Sequence, residues 1–445
     1  MKKAFLYLLL ISVSAFNAYA QDCGTAFLGT KTLYKAPLAK YTPAPKGYRP
    51  VFINHVGRHG ARHLTKDVNT TAIYVILLKA DSAGMLSEKG RLLKQMVINL
   101  QKVEKGNIKS ISAEGRTELQ QIGDRMYRNY SNIFAGHPKL NVTITKEVRT
   151  KQSADAFLSG LKAGLKDSAQ ITEANDDLNL RFYDESPAYT AYKDGDDWEK
   201  YKAIIAKAEH IEEINKNIIA KFFKPDFVKV QDKKWADKIV SDIWGFATIV
   251  YSLKEEINQK GIDPKDLDFT HFFSCDELKA LGRADAAEDF LVKGPGIKPN
   301  GIQVSIAAPL LANFITTSDD FIKTGAISAN LRFAHAETIS PFAALLVIKG
   351  ADKVSPNINQ FDANWRASNV APLSSNIQWI FYKKRGSASY LVKILLNEKE
   401  AHISGLKTGF PYYKWADIRQ LYMTKLAMLN YKPGDDAAAF LKELK

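Results

Sequence analysis

Val51-Phe-Ile-Asn-His55-Val-Gly57-Arg58-His59-Gly60-Ala61-Arg62-His63 is the stretch from which the rest of the chain is read. Its opening apolar run has the pattern of a buried strand, and the charged, glycine-containing half reads as the loop that leaves it. Ligand sites in open α/β sheets lie where strands end in this way. Within the loop, Arg58 and Arg62 each offer a rigid planar fork to anionic oxygens. Gly60 permits a close backbone approach and leaves His59 free to project. An imidazole nitrogen held between two such forks is suited to attack on phosphorus. Two other readings fit the same residues. His55, His59 and His63 would share one face of a helix and suggest a zinc site, but Gly57, Gly60 and the strand pattern before them argue against a helix. A solvated basic loop is the second, and it weakens once the distal half of the chain is considered.

That distal segment is Asn330-Leu-Arg-Phe-Ala-His335-Ala336-Glu337-Thr338-Ile-Ser340-Pro341, followed by the apolar run Phe342 to Ile348. It reads as strand, turn and helix, with Ser340 as the expected N-cap and Pro341 at the first helical position. His335 and Glu337 then fall at a strand's carboxyl end, facing a helix N-terminus whose free N–H groups favour an anion. A His-Ala-Glu tripeptide alone is an ordinary turn. Beside the first motif it becomes a candidate acid near a candidate nucleophile.

Together, Arg58-His59-Gly60-Ala61-Arg62 and the distal His335-Ala336-Glu337 resemble the histidine acid phosphatases. The His-Ala-Glu form, where His-Asp is commoner, resembles the branch of multiple inositol polyphosphate phosphatases. Glu147 to Leu161 is similar to the family segment carrying a third phosphate-binding arginine, which falls on Arg149. Ala113 to Arg125 resembles the helix between the two, and Asp289 to Gly296, with Lys293, resembles a loop leading back to the catalytic part. The resemblance implies a two-step phosphoryl transfer without metal or cofactor. His59 is the expected nucleophile and Glu337 the acid, with Arg58, Arg62, Arg149 and His335 on the phosphate oxygens and Lys293 a further substrate contact. It also implies a polyphosphorylated small-molecule substrate such as an inositol polyphosphate. A general phosphomonoesterase for sugar or nucleotide phosphates, and a non-catalytic periplasmic anion-binding protein, are the competing functions. The sequence departs from the family pattern at Leu64, where proline is common two places after the second arginine. His63, beside it, titrates near neutral pH when unperturbed and is a candidate substrate contact.

Residues 1–20 combine Lys2 and Lys3, an apolar stretch and Ala18-Tyr19-Ala20, the signature of a secretory signal peptide cleaved near Ala20. The expected location is periplasmic or secreted, with no membrane insertion, because no segment approaches the roughly 20 apolar residues of a span. The two cysteines, Cys23 and Cys275, either pair in such a compartment or remain as a frayed end and a buried thiol. The net charge of +14 suits an anionic substrate. Its lysines and arginines are interleaved with acids, without the arginine tracts or aromatic repeats of a nucleic-acid binder.

Val51–Val56 and Leu140–Thr145 are predicted strands, joined through a helix capped near Ser112. A further helix carries Phe157, Leu161 and Leu165, and Asn376–Tyr382 with Tyr390–Leu396 forms a hairpin across Lys384-Arg385-Gly386-Ser387. Strands alternating with helices predict an α/β fold: a mixed, largely parallel sheet with helices on both faces. The lysine- and glutamate-rich middle predicts an inserted, mostly α-helical lobe. The expected division is 21–164 and 301–445 for the α/β part and 165–300 for the lobe. Leu178 to Asp184 interrupts the lobe's helical pattern and is expected to return to the sheet. Its Arg181 is a candidate contact for a non-reacting phosphate, against the alternative of a salt bridge to Asp184.

Overall fold

Strand β1 (Tyr48–Arg58) is buried on both sides: Phe52 and Val56 belong to one apolar core and Ile53 to another. This is how a central strand behaves. The computed structural model describes residues 23–165, 168–195, 197–231 and 233–444, and in it β1 lies inside an eight-stranded sheet. The signal-peptide segment falls outside these residues. The other strands are β2 (Lys139–Ile144), β3 (Gln170–Asn175), β4 (Ala329–Ala334), β5 (Asn376–Lys384), β6 (Tyr390–Leu396), β7 (Lys399–Glu400) and β8 (Tyr413–Lys414). Their order is β3-β2-β4-β1-β5-β6-β7, with β8 also on β6. From β3 to β1 the strands are parallel, and from β1 through β5 onward they pair antiparallel. The sheet is mixed, and the half that carries both sequence motifs is parallel.

Register between β1 and β4 brings the two motifs together. Arg58 pairs with Ala334, so His59 and His335, one residue further along each strand, leave the same sheet edge side by side. Helices Ala113–Tyr130 and Val148–Lys162 cover one face, where Leu119, Ile122, Phe157 and Leu161 meet Ile53 and Leu331. Helices Ala308–Thr324, Ala336–Leu345 and Trp415–Met428 cover the other. Ser112 caps the first of these helices, its side chain accepting from the Gly115 amide at 3.2 Å. The β5–β6 hairpin forms as expected.

Three local expectations are corrected. The sheet return is at Gln170–Asn175, while residues 177–180 and 182–185 form two short helices. The Asp176 side chain accepts from the Asn179 amide and so turns the chain out of the strand. The helix after β4 starts at Ala336, with extended His335 as its N-cap, and Pro341 lies inside it. Proline there forgoes a helical hydrogen bond and crowds the carbonyl four residues back, and burial of the surrounding apolar run offsets that cost. The lobe also recruits residues from before position 165. Leu77, Leu93, Val97 and Leu100, from helices Ala72–Ser82 and Glu88–Glu104, share a core with Ile218, Phe222, Ile243 and Phe246. Conversely, Tyr189, Trp198 and Phe290 pack with the sheet core. Cys23 and Cys275 are disulfide-bonded, tying the start of the described chain to the first residue of helix Cys275–Val292. No helix of the described residues is long and apolar enough to cross a membrane.

Candidate active site

The loop after β1 is held rigidly by its surroundings. A Cβ on Gly60 would lie 2.7 Å from the Gly115 carbonyl oxygen, and one on Gly115 would lie 2.1 Å from that of Ala61. Only glycines allow the loop to press onto the first turn of helix Ala113–Tyr130. Buried Glu118, from the next turn, accepts from the Ala61 amide at 3.1 Å and the Ser374 hydroxyl at 2.6 Å. The Gly60 amide donates to Ser153 Oγ at 3.2 Å.

His59 is buried, and its Nδ1 lies 2.9 Å from the Gly60 carbonyl. A carbonyl only accepts, so Nδ1 carries the hydrogen and Nε2 keeps its lone pair. Burial, then Arg58, His335, Arg62 and Arg149, hold the imidazole well below its ordinary pKa, so the ring is neutral and nucleophilic. Arg58 is anchored by Nη1 to the carbonyls of Thr30 and Ala371. Burial lowers the Arg58 and Arg62 guanidinium groups to about 10, which leaves both charged at neutral pH. Arg62 Nη1 donates to the His63 carbonyl at 2.8 Å.

Arg149, in the first turn of helix Val148–Lys162, donates through Nη1 to Glu147 at 2.6 Å and through Nη2 to His335 Nδ1 at 3.3 Å. His335 therefore accepts at Nδ1 and carries its hydrogen on Nε2, 3.1 Å from Thr145 Oγ1. Its ring centroid lies 5.5 Å from that of His59. His335 is thus placed to orient Arg149. Glu337 sits in the first turn of helix Ala336–Leu345 with its side chain 38% exposed, and its Oε1 is 3.1 Å from Lys293 Nζ. Burial would raise this carboxyl, but Lys293, with Arg58 beyond it, brings it well below the usual carboxylate range.

Three expected substrate contacts are engaged elsewhere. Lys293 is shared between Asp289, at 2.9 Å, and Glu337, so its charge is committed to carboxylates, one of them the candidate acid. Arg181 is paired with Asp184 and also donates to Glu147 at 2.8 Å, which puts it behind Arg149. His63 turns away from His59 into the lobe, its Nδ1 3.1 Å from Glu104. The three-histidine cluster also comes apart, since His55 packs against Phe157 and Phe333 in the core.

A family model, the histidine phosphatase superfamily (branch 2), matches residues 51–397. The chain belongs to that superfamily. Among solved structures, this histidine phosphatase is similar to Bifidobacterium longum multiple inositol polyphosphate phosphatase in complex with inositol hexasulfate. That match has a TM-score of 0.78 at 20% identity and covers 92% of this chain and 98% of the other. It is also similar to the phytase from D. castellii, at a TM-score of 0.65 and 15% identity over 94% and 88% of the two chains. A comparison with curated proteins found no match.

Sequence reading missed Glu118, Thr145, Ser153 and the Glu147 bridge between Arg149 and Arg181. All four act through contacts distant in sequence. Glu147 and Ser153 lie within the stretch similar to the family's third arginine segment, but nothing in the sequence signalled their pairing with Arg181 and Gly60.

Proposed function

We propose that this protein is a phosphomonoesterase that hydrolyses inositol polyphosphates such as phytate through a phosphohistidine. The observation that carries the reading is a neutral His59 whose Nε2 is free, surrounded by the positive charge of Arg58, Arg62 and Arg149. The buried Nε donors of Arg58 and Arg149 have no partner among the described residues, and an anion's oxygens would satisfy them. Nε2 attacks phosphorus in line, the arginines stabilise the charge on the equatorial oxygens, and Glu337 protonates the departing alcohol. Water then attacks the phosphohistidine with Glu337 now acting as base. The arginines supply the neutralisation that a metal supplies elsewhere, so the mechanism assigns no role to a metal or cofactor.

The choice of an inositol polyphosphate rests on the His-Ala-Glu motif, on the net charge of +14 and on fold neighbours named for that activity. Export fits the same reading: the leader sequence and the Cys23–Cys275 disulfide both suit an oxidising compartment. The test is phosphate release by the mature protein from phytate and from a panel of sugar and nucleotide monophosphates, with EDTA present. Preferential turnover of phytate, undiminished by EDTA, is expected. Equal turnover across the panel would make it a general phosphomonoesterase, and no turnover of any ester would leave an anion-binding protein.

A further inference from the structure

The residue after the second arginine is bound to two helices of the lobe. His63 Nδ1 lies 3.1 Å from Glu104, the last residue of helix Glu88–Glu104, and Nε2 lies 3.6 Å from Glu256 in helix Lys254–Gln259. All three side chains are at most 10% exposed. Each carboxylate also takes a backbone amide from beside the catalytic loop. Glu104 accepts from Leu64 at 3.2 Å and 3.3 Å, and Glu256 accepts from Ala113 at 2.7 Å. A proline at position 64 would have no N–H to give. Ala113 begins the helix whose Gly115 presses on Gly60, and Arg62 donates to the His63 carbonyl. The backbone of Arg62 is bridged to Ile111, and the His63 amide bonds to Ser110.

We propose that His63, as an imidazolium between Glu104 and Glu256, is a positioning residue that fixes the Arg62 phosphate fork by fastening the catalytic loop to the helical lobe. The proposal deepens the phosphatase reading, since it rests on Arg62 gripping the reacting phosphate.

The charge state follows from the neighbours. A neutral ring would leave two carboxylates facing each other in a buried socket, a costly arrangement. Glu104 and Glu256 are the charged groups facing the two ring nitrogens from the lobe, and on the loop itself Arg62 turns its guanidinium to the His63 carbonyl. Burial would lower the imidazole, but the hydrogen bond to Glu104 and the negative charge of both carboxylates raise it to about 9. Burial would likewise raise Glu256, while His63 and the Ala113 amide bring it down. With the proton in place, residues 62–64 are tied to both helices. Without it, the Arg62 fork loses its fixed support and substrate binding suffers before chemistry does.

Three measurements test this in the intact mature protein. In ¹³C-histidine-labelled wild type, the His63 imidazole, assigned by its loss in His63→Gln or its displacement in Glu256→Gln, should titrate above pH 8. Wild-type KM for p-nitrophenyl phosphate should rise on the alkaline side as that proton is lost. His63→Gln should raise KM roughly tenfold at pH 6 with kcat within about threefold, and should remove the alkaline rise. If His63→Gln does not fold, Glu104→Gln and Glu256→Gln take its place, and each should move the alkaline rise in KM to lower pH. Titration of His63 below pH 7, or an unchanged KM and pH profile in a folded variant, overturns the proposal. A fall in kcat at constant KM overturns it as well. A wild type that hydrolyses no ester refutes the phosphatase reading instead, and the His63 titration and the dissociation constant for inorganic phosphate in wild type and variants still decide the positioning role.

Discussion

The cationic pocket around His59 and the anionic socket around His63 occupy opposite ends of one loop, and they use the same side chain for opposite ends. Both rings are buried, and burial pushes both imidazoles toward the neutral form. The neighbours decide the outcome. Three guanidinium groups reinforce burial at His59 and leave a lone pair for phosphorus, while two carboxylates overcome it at His63 and leave a cation. Backbone geometry separates the two environments. The tight packing of Gly60 on Gly115 aims His59 along the sheet edge, and the bridge from Arg62 to Ile111 delivers His63 to the lobe.

The largest expected effect falls on the neutral ring. His59→Ala should lower kcat by about 10³-fold or more and abolish the acid-labile phosphoenzyme in acid-quench experiments, with circular dichroism unchanged. Wild-type turnover without any phosphoenzyme at early times would deny His59 its role as nucleophile.

Glu337 comes next. In the free protein Lys293 keeps its carboxyl ionised, so its proton must come from acidic solution or from the incoming phosphate. A group whose pKa is depressed is protonated only at low pH, and the acid-catalysed step should therefore speed up as pH falls. Lys293→Met should move that limb to higher pH by about one unit, the shift expected on losing one adjacent opposite charge. Glu337→Gln should cost phytate turnover about 10²-fold in single-turnover kinetics but leave p-nitrophenyl phosphate far less affected, because nitrophenolate leaves without a proton. An equal loss on both substrates would remove Glu337 from the role of acid.

A smaller effect concerns stability. His63 binds its proton more tightly in the folded chain than in the unfolded one. The cluster with Glu104 and Glu256 therefore stabilises the fold fully below about pH 6.5 and loses that contribution as pH rises through about 9. The contribution is on the order of 3 kcal/mol. The wild-type melting temperature should fall by a few degrees more than that of His63→Gln across this range, and parallel curves would contradict a protonated socket.

The sheet and the pocket were legible because local pattern coincides with global role. The run from Val51 to Arg62 is at once strand, turn and the start of the cationic pocket, and Leu331 to Glu337 likewise joins a strand to that pocket. What escaped reading is pairing between segments remote in sequence. The apolar stripe Leu93, Val97 and Leu100 is amphipathic wherever it docks, so nothing in it announced the lobe as its home. Lys293 and His63 carry charges that suit a phosphate or a carboxylate equally well, and only the fold brings Glu337, Glu104 and Glu256 to them.

Arg181 tests that same ambiguity at the smallest scale. Sequence left it between a contact for a phosphate away from the reacting one and a salt bridge to Asp184, and the fold forms that salt bridge. In the fold its Nη1 holds Glu147 Oε1 at 2.8 Å while Glu147 Oε2 holds Arg149 at 2.6 Å. Removing Arg181 leaves Glu147 to Arg149 alone, and the stronger ion pair draws that guanidinium away from the reacting phosphate. Partly exposed pairs of this kind are worth about 1 kcal/mol or less. Arg181→Met should therefore raise KM by about two- to fivefold, and by the same factor for p-nitrophenyl phosphate as for phytate, because every substrate presents one reacting phosphate. Raised ionic strength should leave that ratio unchanged. A KM increase confined to phytate and diminished by salt would restore Arg181 to a distal phosphate, and would mean that Glu147 and Asp184 release it when a polyanion arrives.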